Sequence, residues 1–345
     1  MLNSSVKGVK FYVLEESLMK KFIKSAALIG CAALLAFSFT GCAKLSYVAN
    51  GTITAVQAVS DGSWKTNDLE TDDAGENVVN IDEFTAGTYG SVDFQTQDDV
   101  VNYFIECYNN TKAQTALYTH TDGNTYEYYA FMAEEKLSVD CIYIDGTKND
   151  MLNNAVPGIV SGAFVKGSYG LPPSNNQDPL IDNDNMDAAN PGEYDFRQSY
   201  FKPEYCLACN VTDNGDGTIT IEIQPKDASM SARGADSQGS FFEVLKDLGG
   251  TVAGIFNDYD ALSWASGSTE ENCKVNYKGG TGKFVIDTAT KTFVTADYHM
   301  NVLVEVNHAN VTVIKDKSGA IDISHDIHYP ASDEYLLEQK GLTRK

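Results

Sequence analysis

Basic side chains are scarce in this chain, which contains 25 Lys and Arg residues against 48 Asp and Glu and has a formal net charge of -23 at pH 7. A surface of that sign repels the phosphates of nucleic acids and the headgroups of anionic lipids. Nucleic acid is therefore excluded as a partner. The acidic residues are scattered over many turns, so they indicate a well-solvated surface.

The sequence also lacks the short motifs that would identify a reaction. It contains no nucleophile elbow of a serine hydrolase, no phosphate-cradling glycine loop and no HExxH zinc motif. Carboxylates are so numerous that no two of them can be selected as an acid–base pair. No catalytic residue and no cofactor is predicted, and a non-enzymatic role is the expectation.

Cysteines are few, and those in the body of the chain are odd in number. Of the seven in the sequence, Cys31 and Cys42 belong to the N-terminal region described below. An odd count in an exported chain is not a complete disulfide framework. At least one thiol is free, or all are buried as small apolar side chains. The five in the body are Cys107, Cys141, Cys206, Cys209 and Cys273.

Long hydrophobic runs are rare, and the one that stands out lies between Met19 and Cys42 (MKKFIKSAALIGCAALLAFSFTGC). Its lysines form a basic beginning, and residues 26–37 form an apolar stretch of about a dozen residues, too short to span a bilayer. No second run approaches transmembrane length. The pattern is typical of a secretory signal peptide.

The end of this segment carries a small residue, Gly41, directly before Cys42. This arrangement resembles the lipobox of bacterial lipoproteins. The resemblance implies cleavage before Cys42, acylation of its thiol and amino group by fatty acids such as palmitate, and an extracytoplasmic, lipid-anchored position on the cell membrane or outer membrane. Each buried methylene of an acyl chain contributes about 0.8 kcal/mol to anchoring. The alternative is an ordinary secretory signal with a chance cysteine.

The residues before Met19 do not fit a signal peptide, because Glu15 and Glu16 lie where basic residues are expected. We therefore predict that translation starts at Met19. The expected organisation is a signal region (1–41), a lipidated tether with a first strand at 52–59 (42–95), a globular domain (96–330) and a polar tail (331–345).

Within the domain, two amphipathic helices are predicted. The first begins after Thr96, with Asp99 in the capping position, and continues to Lys112. The second begins at Ser240, with Glu243 completing a capping box, and carries an apolar stripe as far as residue 259. A shorter helix is predicted at 150–156.

Alternating apolar residues predict many strands. These lie at 124–132, 137–144, 204–212, 218–224, 272–278, 282–287, 292–306, 311–315 and 320–328. A turn or bulge is expected at 307–310, where the apolar phase changes, and a turn at 316–319.

Residues 171–195 form a long polar insertion, and its aspartates lack the EF-hand spacing because Met186 and Asp187 occupy the fifth and sixth positions.

Two residue groups are candidates for chemistry. In Cys206-Leu-Ala-Cys209 the cysteines lie at the start of a predicted strand, so they are expected on opposite faces, about 10 Å apart and beyond disulfide reach. His299, Asp326 and His328 are metal candidates if their strands are neighbours, although the sequence cannot place them. His325 is expected on the packed face of its strand.

The element order predicts an α+β fold, a large curved antiparallel sheet with two main helices packed on one face. The segment GKFVIDTATKTF at 282–293, followed by long alternating strands, resembles the repeated strand-turn-strand of lipoproteins with a LolA- or LppX-like curved sheet. The layout also resembles uncharacterised lipoproteins of anaerobic bacteria. The LolA and LppX families imply a half-barrel closed by helices around an apolar cavity.

Three functions stay open at this point. The first is a membrane-anchored, non-enzymatic lipoprotein that binds an apolar ligand or a surface protein. The second is a structural or adhesive surface module with a solid core. The third is a thiol- or metal-dependent enzyme. In each case the membrane is contacted through the acyl chains on Cys42.

Overall fold

The computed structural model describes residues 77–148, 170–173, 197–244, 262–311 and 314–345. The signal region, Cys42, the predicted strand at 52–59, the predicted helix at 150–156 and most of the insertion at 171–195 lie outside these ranges. The elements, in chain order, are β1 (Gly87–Tyr89), β2 (Val92–Phe94), α1 (Gln97–Lys112), β3 (Thr115–His120), β4 (Thr125–Tyr129), β5 (Glu134–Ile144), β6 (Thr147–Lys148), a 3₁₀ turn (Pro203–Tyr205), β7 (Cys206–Asp213), β8 (Thr218–Pro225), β9 (Ala228–Ser229), β10 (Leu262–Trp264), α2 (Thr269–Asn272), β11 (Cys273–Tyr277), β12 (Thr281–Asp287), β13 (Thr292–Val311), β14 (Ile314–Tyr329), α3 (Asp333–Tyr335), a π-helical turn (Leu336–Lys340) and β15 (Leu342–Arg344).

The first predicted helix is confirmed as α1. The Asp99 backbone N–H donates to the Thr96 hydroxyl, and the Asp99 carboxylate accepts from the Thr96 backbone N–H, so both halves of the capping box form. Val100, Val101 and Phe104 are buried on the apolar stripe. The helix packs this stripe against β13, β7 and β8.

A large antiparallel sheet dominates the described residues, in the strand order β6-β5-β14-β13-β12-β8-β7. Its centre is β13, which pairs with β14 along one edge and with β12, β11 and β10 in succession along the other. Side chains on β13 alternate between a buried inner face, on the side of α1, and an outer face that carries polar groups. The predicted fold class is confirmed as far as a strand-rich chain with a large antiparallel sheet and few helices.

The pairing of β13 with β14 is irregular, and it tests the two predictions made for residues 307–310 and 316–319. The expected change of phase at 307–310 occurs without ending the strand, because the register shifts between Val306 and Ala309 and again before Val311. The predicted turn at 316–319 is wrong, since these residues belong to β14. Val294 on β13 is 46% exposed, because a register shift opposite Val285 and Ile286 leaves it unpaired.

The second main helix is not confirmed. At its predicted start, the Ser240 N–H donates to the carbonyl of Asp236, and Glu243 pairs with Arg233 instead of capping Ser240. Residues 240–244 form a turn followed by irregular backbone. The rest of the predicted helix lies outside the described residues.

Both ends of the described chain pack against the rest of the structure, which the sequence did not predict. In the predicted tether, the Asn80 N–H donates to the Gln224 side-chain oxygen at 2.7 Å, and Phe94 is buried in the core. In the predicted polar tail, β15 pairs with β3 in a second sheet of order β15-β3-β4. Leu336 and Leu342 are buried in the small core beneath that sheet. The description of 331–345 as a polar tail is therefore wrong.

Candidate functional site

The outer face of the large sheet carries two histidine–aspartate pairs at its centre. In the register of β13 with β14, Asp297 lies opposite His328 and His299 lies opposite Asp326. His299 Nδ1 is 2.6 Å from the Asp326 carboxylate, and His328 Nδ1 is 2.6 Å from that of Asp297. All four side chains are about half exposed. We call these four residues the His–Asp patch.

The patch brings together the three metal candidates named from the sequence, but it divides them between two hydrogen-bonded pairs. Each imidazole uses Nδ1 on a carboxylate, and its Nε2 is the atom left for a further partner. Among the residues that the structure describes, no group of three or more His, Cys, Asp and Glu side chains is arranged to hold a metal ion. The arrangement is therefore that of a polar surface that presents carboxylates and imidazole rings.

The patch includes one residue, Asp297, that the sequence analysis did not select. The signal for it was present as a repeated tripeptide pattern, Asp297-x-His299 on one strand and Asp326-x-His328 on the next. When two such strands pair antiparallel in the observed register, each Asp faces the His of the other strand. Only the register, which the sequence does not state, determines whether they meet.

The exposed part of the outer face has a defined edge along β13. Toward the far end of the strand, Glu305 is only 3% exposed and accepts a hydrogen bond from Asn276 Nδ2 at 2.7 Å. Burial removes the Glu305 carboxyl from water and raises its pKa above the ordinary value, while Lys274 opposes this effect. The solvent-accessible part of the face is thus centred on the His–Asp patch and on Lys283, which lies opposite Asp297 on β12.

His325 lies on the opposite, packed face, as the sequence predicted. Its Nε2 is 3.2 Å from the Glu135 carboxylate on β5, and both side chains are buried. This histidine cannot join the His–Asp patch, because successive strand positions point to opposite faces. Its position supports a structural role between β14 and β5.

The two cysteines at the start of β7 were expected on opposite faces, and this prediction is wrong. Cys206 pairs with Pro225 while Ala208 pairs with the next residue, Gln224, so Leu207 is an extra residue in the strand. Such a bulge shifts the alternation by one position. Both Cys206 and Cys209 are therefore buried in the same hydrophobic core.

Aromatic rings fill the region where α1 meets the inner face of the sheet, which is where an apolar ligand was expected. The ring of Phe104 lies 4.6 Å from that of Phe284 and 5.8 Å from those of Phe241 and Phe293, measured between centroids. These are ordinary distances for packed aromatic pairs. The described part of this interface is thus occupied by the protein's own side chains.

Comparisons of the chain with protein-family models, with curated protein sequences and with solved structures find no match. No helix among the described residues is long and apolar enough to cross a membrane.

Proposed function

We propose that this protein is a lipid-anchored extracytoplasmic protein that binds a surface partner through the exposed outer face of its large sheet, without catalysing a reaction. The observation that carries the binding part is the His–Asp patch. It is a half-exposed group of four polar side chains at the centre of a sheet whose other face is packed against α1.

The anchor is inferred from residues 19–42. The basic beginning, the short apolar stretch and the Gly41-Cys42 end together resemble a lipoprotein signal. Acyl chains on Cys42 would attach the chain N-terminal to β1. Residues 43–76 would then connect this anchor to the described domain.

The choice of an outer surface over an interior cavity follows from the aromatic packing. An apolar ligand between α1 and the sheet would have to displace rings such as Phe104 and Phe284, which are 1% and 0% exposed. Displacing packed rings costs several kcal/mol, as large-to-small substitutions in cores demonstrate, with typical values of about 3–5 kcal/mol for Phe→Ala. A polar partner at the outer face requires no such rearrangement.

The anchor is tested by expressing the chain from Met19 in a bacterial host, with Cys42 or with Cys42→Ser. We expect the Cys42 protein in the membrane fraction with incorporated labelled palmitate, and the Cys42→Ser protein in the soluble exported fraction without label. Palmitate label that persists in Cys42→Ser, or an unlabelled Cys42 protein in the soluble fraction, would contradict the anchor.

The binding face is tested by placing a photo-crosslinking residue at position 283 in cells of the source organism. The Lys283 side chain is 58% exposed and faces the His–Asp patch side of the sheet. The matched control is position 117, where Leu117 is 48% exposed on the small sheet. We expect a discrete crosslinked species from position 283 and none from position 117.

Equal yields from the two positions, or none from position 283, would contradict the proposed face. Native mass spectrometry of the Cys42→Ser protein then distinguishes the remaining functions. A bound molecule of several hundred daltons that is lost on denaturation would assign an apolar-ligand carrier, whereas a bare mass would favour a structural module.

A further inference from the structure

The bulge in β7 changes the spacing between its two cysteines in a way that matters for their chemistry. In a regular strand, residues three apart are separated by about 10 Å and face opposite sides. Because Leu207 is an extra residue, Cys206 and Cys209 pair with Pro225 and Ile223, which are only two positions apart on β8. The two cysteines therefore point to the same face of the sheet, as neighbours two positions apart do in a regular strand. Same-face neighbours lie about 6.6 Å apart, at the upper end of the Cα separations of about 4.4–6.8 Å found in disulfides.

Each thiol of the pair contacts a backbone carbonyl group. Cys206 Sγ lies 3.2 Å from the carbonyl of Ala208, between the two cysteines, and Cys209 Sγ is 4.0 Å from the carbonyl of Gln97 at the start of α1. The nearby Cys209 side chain and burial both raise the pKa of Cys206 above its ordinary value. The two thiols therefore lie on the same side of β7 and in the same core.

The remaining cysteines of the described chain differ from this pair. Cys107 lies on α1, Cys141 on β5 and Cys273 on β11. All five described thiols are free and buried. Burial raises the pKa of Cys107 to about 12, and that of Cys273 to about 11. These three therefore serve as internal controls for the reactivity of a buried single thiol.

We propose that Cys206 and Cys209 are a dithiol–disulfide pair that becomes a disulfide when the protein meets an oxidant of the disulfide class. This inference goes beyond the proposed function: the chemistry of the pair is independent of the binding face, and only the supply of oxidant rests on the proposed export. An exported chain would meet such oxidants, because disulfides form and persist outside the cytosol.

The reaction proceeds by two thiol–disulfide exchanges. Cys206, the more exposed of the two at 8%, loses its proton and attacks the oxidant's disulfide, releasing one oxidant thiolate. Cys209 then loses its proton and attacks the mixed disulfide at Cys206, releasing the second. The two protons pass to the released thiolates, and the oxidant gains the two electrons that the protein loses.

The product is a disulfide within edge strand β7, which links Cys206 and Cys209 across the bulge at Leu207. The closed loop is short, so the chain-entropy contribution to stability is small compared with that of a long-range disulfide. The main structural consequence is that the bulge becomes a covalent feature. Cys209, which contacts the N-terminal turn of α1 through Gln97, is then tied to Cys206.

The test uses the full mature chain with Cys42→Ser, equilibrated in defined mixtures of reduced and oxidised glutathione, acid-quenched, alkylated and digested for mass spectrometry. We expect the peptide that contains Cys206 and Cys209 to lose two hydrogen atoms, while Cys107, Cys141 and Cys273 are recovered as alkylated thiols. The equilibrium constant for oxidation in the folded protein should exceed that of the same protein in denaturant by at least about tenfold, equivalent to about 30 mV.

Cysteine variants test whether the oxidation occurs at Cys206 and Cys209. Cys107→Ser should leave the oxidation unchanged, and Cys206→Ser should abolish it. If Cys206→Ser does not fold, the comparison of folded and denatured protein decides alone. An oxidation constant in the folded protein that is less than about tenfold above that in denaturant, or a disulfide that includes Cys107, Cys141 or Cys273, would overturn the proposal.

Discussion

Phe284→Ala is expected to lower the free energy of unfolding by about 3–5 kcal/mol, the usual range for removing a fully buried phenylalanine ring. Phe284 lies on β12 with 0% exposure. Its ring centroid is 4.6 Å from that of Phe104, 5.1 Å from those of Phe293 and Tyr298, and 5.9 Å from that of Phe241. The substitution would therefore remove contacts on several sides at once and leave a cavity between α1 and the sheet.

The measurement is urea denaturation of the soluble Cys42→Ser protein, followed by circular dichroism and tyrosine fluorescence. The control is Val294→Ala on the neighbouring β13, where the side chain is 46% exposed and the expected change is within about 0.5 kcal/mol. A loss below about 1 kcal/mol for Phe284→Ala would contradict the close packing of this interface, since it would mean that the core collapses into the space or was already loosely filled.

Gly239→Ala is expected to destabilise the protein by about 3 kcal/mol or more, because the new methyl group has no room. A Cβ at this position would overlap the carbonyl group of Ala232, whose carbon would lie 2.7 Å away. This carbonyl group belongs to the backbone, so a side-chain rotation cannot relieve the overlap. The turn that contains Gly239 also leads directly to Phe241 and Phe242, which are buried in the core.

The matched control for this prediction is Gly319→Ala on β14. A Cβ there would meet its nearest neighbour at 3.8 Å, an ordinary van der Waals contact. We expect this variant to be neutral or stabilised by up to about 1 kcal/mol, because alanine restricts the unfolded chain more than glycine does. Equal thermal midpoints for the two variants would show that the turn at 232–239 is not held as close to Gly239 as described.

Local sequence patterns predicted the elements that local interactions determine. The helix α1 was found because Thr96 and Asp99 cap each other within one turn, and because its apolar stripe repeats at helical spacing. The alternation of β8 was found for a similar reason, since Ile219, Ile221 and Ile223 are all buried on one face. In both cases the determining residues lie within a few positions of each other.

Similar local signals failed where distant contacts were stronger. Ser240 and Glu243 have the spacing of a capping box, but Glu243 forms an ion pair with Arg233 and Ser240 donates to Asp236. The residues at 316–319 have turn composition, yet they continue β14, because Lys317 and Gly319 pair with β13 and Gly319 also pairs with β5. Local propensity is a weak preference that tertiary pairing overrides.

The candidate sites divide in the same way. The sequence identified His299, Asp326 and His328 as metal candidates if their strands were neighbours. It also correctly assigned His325 to the packed face. The partner of each histidine depended on the register between β13 and β14, which a shift of one residue would have changed completely. The facing of Cys206 and Cys209 depended on a single extra residue at Leu207.

By itself, the sequence determined the composition of the surface, the capped helix α1 and the alternation of the long strands, because these follow from residues close together in the chain. It also predicts a lipoprotein signal at residues 19–42, which the fractionation of the Cys42→Ser protein will test. The tertiary structure alone decided which histidine meets which aspartate, that the two thiols of β7 share one side, and that the chain's last residues complete a second sheet. These features depend on strand register and bulges, which are set by pairing between segments far apart in the chain.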